Sequence, residues 1–409
     1  MNIGKAIIEA TNILLKKGIK SSQLDSEILM SKVFKKDRKF IILNLQKKIK
    51  KSLFYSFKEF VYQRSCGKPI AYLTGKKNFW SNEFVINQNV LIPRPDTEII
   101  IEQVLKIFKN NEKINFLDIG FGSGCILLSI LKEFKNFRGI GVDISNHALK
   151  VCKINAYKLG VSNRVRLFKS DIDKFSTGKY DLIIIRHYLE HFPDCEKIIS
   201  TLKGKLSRNG VIYLEVPDCK KFIDKNIPLY LWEQHRYYFT KSSLNRMLVN
   251  TKSEFSSIES YGNSIEPSLC TIITRGKDAQ EYAHSREHLN IDIEDEIDIE
   301  TYKQRWNQLI SKNNDKEIIM FGAGHNADRF IQLTNISYSI DKIVDDNPLK
   351  VGRYLSGVNK KIKESSYLRN KSDIVILLGC HDRSIKACTS NIRAINNKAK
   401  IYSIYDMPD

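Results

Sequence analysis

The stretch "NFLDIGFGSGCILLSIL" (115–131) restricts the possible folds more than any other part of the chain. A strand-forming run ends in Asp118, Gly120, Gly122 and Gly124 follow at every second position, and an apolar helical pattern begins at once. Glycine is required where the backbone bends sharply with positive φ and lets a ligand approach its amides. A strand that feeds a helix through such a bend is the repeating unit of a parallel α/β sheet. The spacing is not that of the dinucleotide fingerprint G-x-G-x-x-G, because an acid precedes three glycines set two apart.

The same rhythm extends along the chain. Strands are predicted at 115–119, 138–143, 164–168, 182–185 and 211–216, alternating with helices, with 256–259 and 268–274 as closing strands. Upstream, Ile3, Ala6, Ile7, Ala10, Ile13 and Leu14 recur at a helical period, and 24–33 and 52–64 repeat the pattern. "NFWSNEFVINQNVLIPRP" alternates around Ser81-Asn82 as a β-hairpin does, closed by Pro93 and Pro95. Residues 287–300 carry seven acids with no core-forming pattern, and from Tyr302 strands are predicted at 317–321, 339–344, 374–378 and 400–404. A chain of 409 residues exceeds the roughly 250–300 that one core supports. The expected organisation is a basic helical domain (1–76), a doubly wound α/β domain (77–278), an acidic linker (279–301) and a Rossmann-like α/β domain (302–409).

Composition narrows the classes further. No run reaches the roughly 18 apolar residues of a membrane span, and the first residues break their apolar positions with charge, unlike a signal peptide. The eight cysteines (66, 125, 152, 195, 219, 270, 380, 388) contain no C-x-x-C, so reduced thiols in a cytoplasmic protein are expected, not a zinc ribbon or a disulfide scaffold. Net charge is +20, and residues 1–80, with 18 Lys plus Arg against 5 Asp plus Glu, hold +13 of it. That asymmetry suits a surface approaching nucleic acid or ribonucleoprotein, but a solvated lysine face on a helical domain is the plainer reading.

The pattern acid-x-G-x-G-x-G resembles motif I of class I S-adenosylmethionine (SAM) dependent methyltransferases, which implies SAM as cofactor. An ammonium group wants a carboxylate nearby, whereas a pyrophosphate wants only amide donors. The next strand, "RGIGVD", ends in Asp143, positioned to accept ribose hydroxyls. The third is followed by Ser170-Asp171, where the resemblance implies an acid at the adenine amino group. The implied cofactor set is Asp118, Gly120, Gly122, Gly124, Asp143 and Asp171.

"RSCGKPIAYLTGKKNFWSNEFVINQNVLIPRPDTEIIIE", joined to "LDIGFGSGCILLSIL" and "GVDISNHALKVCKINA", resembles the HemK family of release factor glutamine methyltransferases over residues 1–185. That family methylates the glutamine of the Gly-Gly-Gln motif of peptide release factors, and its helical N-terminal domain contacts the factor. The resemblance therefore implies release factors as partners of the basic bundle, with nucleic acid not expected as direct substrate. It also implies a site wall at Pro93, Arg94, Pro95, Thr97 and Glu98. After "YDLI" the family carries an Asn-Pro-Pro-Tyr clamp that holds the amide hydrogens; here Arg186, His187, Tyr188 and Leu189 stand in its place. Without a clamp an amide nitrogen is a poorly positioned nucleophile, which argues against glutamine methylation.

From Arg186 onward, "RHYLEHFPD", "GVIYLEVPD" and "WEQHRYYFTKSSLNRML" resemble small-molecule methyltransferases of the deoxysugar C-methyltransferase type. In those enzymes a Glu-Val-Pro-Asp turn and a Glu-His-x-x-Tyr-Phe segment border the acceptor. The second motif stands here as Gln234-His235-Arg236-Tyr237-Tyr238-Phe239, so His235 is the candidate base with Tyr238 beside it, and acid support falls to Glu233 or elsewhere. A structural loop histidine is the other reading of His235. Arg186, His187 and Tyr188 are expected at the acceptor. His187 and His191 stand four apart without a third ligand, so no metal is expected, and His284 and His288 read as solvated. In the last unit, Gly322-x-Gly324-x-x-Ala327 followed by Asp345 permits NAD. The same stretch resembles the C-terminal domain of sugar C-methyltransferases, where it helps build the acceptor cleft.

The expected function is methyl transfer from SAM to a small, sugar-like hydroxyl or carbon acceptor. The alternatives are glutamine methylation of release factors and a SAM-binding chimera without catalysis.

Overall fold

The computed structural model describes residues 1–175, 177–231, 234–261, 267–275, 297–355 and 357–408. Most of the expected acidic linker, with His284, His288 and Glu233, lies outside the described residues. The chain divides into two compact units: Met1–Asp218 with Gln234–Ile291, and Cys219–Glu233 with Asp292–Asp409.

The first unit opens with helices α1 (Ile3–Lys16), α2 (Ser22–Phe34), α3 (Arg38–Leu43), α4 (Lys51–Ser65) and α5 (Ile70–Thr74). Ile3, Ala6, Ile7, Ala10 and Leu14 of α1 bury the face their spacing predicts, against Leu29, Met30, Phe57 and Val61. Asn2 and Asp37 cap α1 and α3 through side-chain hydrogen bonds. The buried Asp25 is paired with Arg64 at 2.7 Å.

Strands β1 (Lys76–Phe79) and β2 (Asn82–Val85) form the expected hairpin, but its turn is Trp80-Ser81, one residue earlier than the sequence suggests. Both turn residues have positive φ, +45° and +58°, as a tight two-residue turn demands. Tertiary bonds hold what the residue types disfavour: the Trp80 amide donates to Glu98 at 2.8 Å and its indole N–H to Glu133 at 2.7 Å.

A 3-10 turn (Pro95–Glu98) leads into α6 (Ile99–Ile107). Then come β3 (Asn115–Ile119), α7 (Cys125–Glu133), β4 (Arg138–Asp143), α8 (Asn146–Lys158), β5 (Val165–Lys169), β6 (Tyr180–Arg186), α9 (Cys195–Gly204) and β7 (Leu206–Pro217). Helix α10 (Lys241–Asn250) and strands β8 (Glu254–Phe255), β9 (Glu259–Tyr261) and β10 (Ser268–Thr274) complete the unit. The sheet runs β5-β4-β3-β6-β7-β10-β8, with β3 to β7 parallel and β10 antiparallel between β7 and β8. The middle of β6 shows why it needs no polar positions there: Leu182 and Ile184 enter the core on one face, Ile183 and Ile185 the core on the other.

The strand expected at 256–259 is instead a break between β8 and β9. Ser256 Oγ accepts the Ile272 amide at 3.0 Å, so a side chain replaces the backbone partner there.

In the second unit, α11 (Ile299–Ser311), β11 (Glu317–Phe321), α12 (His325–Thr334), β12 (Lys342–Val344), β13 (Tyr354–Leu355), β14 (Val358–Lys363), β15 (Ile374–Leu378), α13 (Ile385–Ile395) and β16 (Lys400–Ser403) form a six-stranded sheet ordered β13-β14-β12-β11-β15-β16. Its short strands β13 and β14 are absent from the sequence expectation, because "YLSGVNKKIK" carries little apolar alternation.

Candidate active site

Strand order reverses on either side of β3, so a crevice opens beyond the carboxyl ends of β3, β4 and β6. The glycine bend lies in it. Gly120, Gly122 and Gly124 take φ of +74°, +55° and +81°. Gly124 admits no side chain, since a Cβ would lie 2.4 Å from Cys152 Sγ, whereas a Cβ on Gly122 would meet only the Gly120 carbonyl at 4.0 Å. The bend is thus tight beneath and open above, a cradle that backbone amides can line.

Asp143 anchors this cradle. Its Oδ2 accepts the Gly122 amide at 3.0 Å and its Oδ1 the Ser145 amide at 2.8 Å. Asp118 is buried beneath the bend, and its Oδ2 has no hydrogen-bond partner. Burial, with the nearby Asp143 charge added, raises its pKa to about 8. Asp171 is exposed after β5 and caps the turn Ile172–Lys174. The orphaned oxygen of Asp118, the open cradle and Asp143 fit an ammonium-bearing nucleoside.

The carboxyl of Asp118 is protonated in the folded protein at neutral pH and ionised in the unfolded chain above pH ~4. Folding stability is therefore fully present below that pH and declines as pH rises toward 8, by at most about 1.4 kcal/mol per unit. Asp118→Asn is expected to flatten this decline, so thermal melts of parent and variant should coincide near pH 4 and diverge, with the variant higher, toward pH 8.

Beside the cradle, the residues that stand where the family carries its clamp form a different structure. The Tyr188 ring lies over Gly120, where a Cβ would be 3.5 Å from its Cδ2, and burial followed by the charges of Asp171 and Asp143 raises its hydroxyl pKa. Arg186 Nε donates to Glu215 Oε1 at 3.0 Å. His187, at φ +48°, places Nε2 2.9 Å from Ser268 Oγ and 3.3 Å from Glu215 Oε1, and its amide donates to the Glu215 carbonyl. Glu215 is 2% exposed and also accepts from Tyr213. Burial pulls its pKa up, but the hydrogen bond from His187 and the charge of Arg186 outweigh that and hold it below the usual carboxylate range. Leu189 is fully buried and Pro93 is buried before the Pro95–Glu98 turn. Glu98, expected in the wall, accepts the Trp80 amide of the hairpin at 2.8 Å.

The segment carrying His235 is stitched to the turn after β6. The Glu190 carbonyl accepts the Arg236 and Tyr237 amides, and His191 Nδ1 donates to the Gln234 carbonyl at 2.9 Å. His235 meets His191 edge to face at 4.8 Å between centroids and lies 5.9 Å from the Tyr238 ring. Burial, then the charges of His191 and His187, lower the His235 pKa to about 4, so the imidazole is neutral. The sequence paired His191 with His187; the structure instead groups it with Glu190 and His235. Glu190 and Glu215 are the residues that sequence reasoning left without a role. Each sits in a quoted motif, yet an acid flanked by apolar residues reveals no partner until the sheet assembles.

In the second unit Asp345 occupies the corresponding strand end. Its Oδ2 accepts from the Ala323 amide at 2.7 Å and from Lys350 at 2.9 Å, and its Oδ1 from the Asn347 amide. Lys350 thus neutralises the acid that a dinucleotide ribose would require.

Three family models match the chain: a PrmC N-terminal domain (5–75), a methyltransferase domain (94–252) and a C-methyltransferase C-terminal domain (280–399). A release factor glutamine methyltransferase of Clostridium acetobutylicum is 34% identical over 218 residues, covering 50% of this chain and 76% of that protein. The chain belongs to the release factor glutamine methyltransferase family. A family member from Buchnera aphidicola is 41% identical over 180 residues (42% of this chain, 64% of that one). A bifunctional methyltransferase of Rickettsia conorii is 32% identical over 259 residues, 55% of this chain and 49% of that one. The chain thus spans about half the length of that bifunctional relative. Its sheet is that of a class I SAM-dependent methyltransferase. No helix among the described residues is long and apolar enough to cross a membrane.

Proposed function

We propose that the chain transfers a methyl group from SAM to a small hydroxyl or carbon acceptor of the sugar type. The observation that carries this reading is the cradle: three left-handed glycines, open above Gly122, at strand ends bearing Asp118, Asp143 and Asp171. Asp143 takes the ribose hydroxyls on its remaining lone pairs, Asp118, protonated in the ligand-free chain, gives up its proton to face the ammonium group, and Asp171 takes the adenine amino group. SAM supplies an electrophilic methyl on a sulfonium. The protein's share is to hold an acceptor in line and relieve it of a proton. Tyr188, His187 and Arg186 wall the acceptor side, and neutral His235, with Tyr238 near it, is the group that accepts the proton.

The support for a small acceptor is that no Asn-Pro-Pro-Tyr clamp follows β6. The Arg186 guanidinium only donates, here to Glu215, and His187 is engaged by Ser268, so neither side chain offers the paired acceptors that a glutamine amide needs. The matching N-terminal domain favours the second reading, a release factor as substrate met by the basic bundle. Incubation of the full chain with methyl-labelled SAM, purified release factors and a panel of deoxysugar nucleotides separates the two. Label is expected in a small-molecule product; label at the Gly-Gly-Gln glutamine would overturn the small-acceptor reading.

A further inference from the structure

We propose that Glu190, His191 and His235 form a binding site for one first-row divalent transition metal ion of the zinc type. A carboxylate oxygen and one nitrogen from each imidazole lie within 4.8 Å of one another. Two imidazoles and a carboxylate are the donor set of zinc-type sites that keep coordination positions open. They do not supply the six or more oxygens that calcium or magnesium prefers.

The hydrogen bonds fix which atoms are available. A carbonyl oxygen only accepts, so His191 Nδ1 carries the proton in its bond to Gln234. In the neutral ring the Nε2 lone pair then faces Glu190 Oε1 at 3.9 Å. A backbone carbonyl on the far ring nitrogen is the customary outer support of a metal-bound histidine.

Glu190 gives the independent indication. It is 1% exposed, and its Oε2 meets no hydrogen-bond donor. A carboxyl withdrawn from water with a bare oxygen holds a proton unless a cation or donor reaches it, and an ion between the two histidines would take that proton's place. The ligand-bearing segments are joined in advance, since the Glu190 carbonyl accepts the amides of Arg236 and Tyr237. Donors around a tetrahedral ion stand roughly 3.3 Å apart, so the widest pair closes by about 1.5 Å at most, within reach of side-chain rotation.

The site stands on these contacts alone; its role rests on the methyl-transfer reading. With an ion in place His235 would serve as a ligand, so the proton acceptance assigned to it above would belong to the metal-free chain alone. A hydroxyl coordinated at the open position would become more acidic and release its proton to solvent; its oxygen would then take the methyl group as the sulfonium S–CH3 bond breaks and the neutral thioether leaves.

The test is calorimetric titration of the chelator-stripped full chain with zinc chloride, with SAM titrated into the same preparations. One ion per chain is expected, bound about 100-fold or more weakly by His191→Ala and His235→Ala, and about 10-fold or more weakly by the near-isosteric Glu190→Gln. A Cys380→Ser/Cys388→Ser variant should bind as the parent does. Equal zinc binding by His191→Ala, no binding by the parent, or loss of binding in the cysteine variant would each overturn the site. SAM binding without zinc sinks this site and leaves the methyltransferase reading intact; zinc without SAM does the reverse.

Discussion

Glu215→Ala is expected to destabilise the first unit by about 3–5 kcal/mol, among the largest losses a single side chain here can cause. Removing the carboxylate leaves Arg186 without its partner at 3.0 Å and takes one partner each from His187 and the Tyr213 hydroxyl, all where Glu215 is 2% exposed. The loss comes from uncompensated burial, not from the pair's own strength. Consequently Arg186→Met/Glu215→Met, which removes both charges, should recover most of it, because a buried pair and apolar groups of similar volume are nearly equivalent in stability. Urea unfolding followed by circular dichroism measures both variants. If Glu215→Ala lost under about 1 kcal/mol, the network would be a solvated one. The pH dependence has a definite sign. The Glu215 pKa is lowered on folding, so its contribution is present above the ordinary carboxylate value and is lost as pH falls through the folded value.

Asp143→Ala is expected to weaken SAM binding about 100-fold or more, close to 3 kcal/mol. Under the proposed cofactor assignment, two charge-assisted hydrogen bonds to vicinal hydroxyls would account for that amount. The side chain also organises the protein, since it holds the Gly122 amide at 3.0 Å and the Ser145 amide at 2.8 Å. Asp143→Asn separates the two roles. Its amide oxygen can still accept one of these bonds, while the charge that strengthens the hydroxyl contacts is gone. The variant should therefore melt somewhat below the parent but above Asp143→Ala, since one of the two backbone amides loses its acceptor, and still bind weakly in a calorimetric titration. Parent-like affinity in both variants would remove the basis for the cofactor assignment.

Much of the first unit was legible before folding. The helical period from Ile3 to Leu14, the strand from Asn115 to Ile119 and the glycines at 120, 122 and 124 each state their structure locally, through side-chain periodicity or a backbone conformation that one residue type tolerates. The hairpin turn and the break at Ser256 were displaced from expectation because distant side chains, Glu98 and Ser256's own hydroxyl against Ile272, decided them. Strand β14 was not legible, since its sequence is mostly lysine and polar and it pairs with β12 through backbone bonds.

The acceptor side divides in the same way. The sequence established that the Asn-Pro-Pro-Tyr clamp is missing, that His235 and Tyr238 stand in a recognisable segment and that Asp118, Asp143 and Asp171 end successive strands. Tertiary structure alone decided that Arg186 and His187 converge on Glu215 and that His191 turns toward Glu190 and His235 rather than toward His187. The physical reason is range. Backbone propensities act over a few residues and are written in order along the chain, whereas pairing of buried charges depends on which strand ends the sheet brings together.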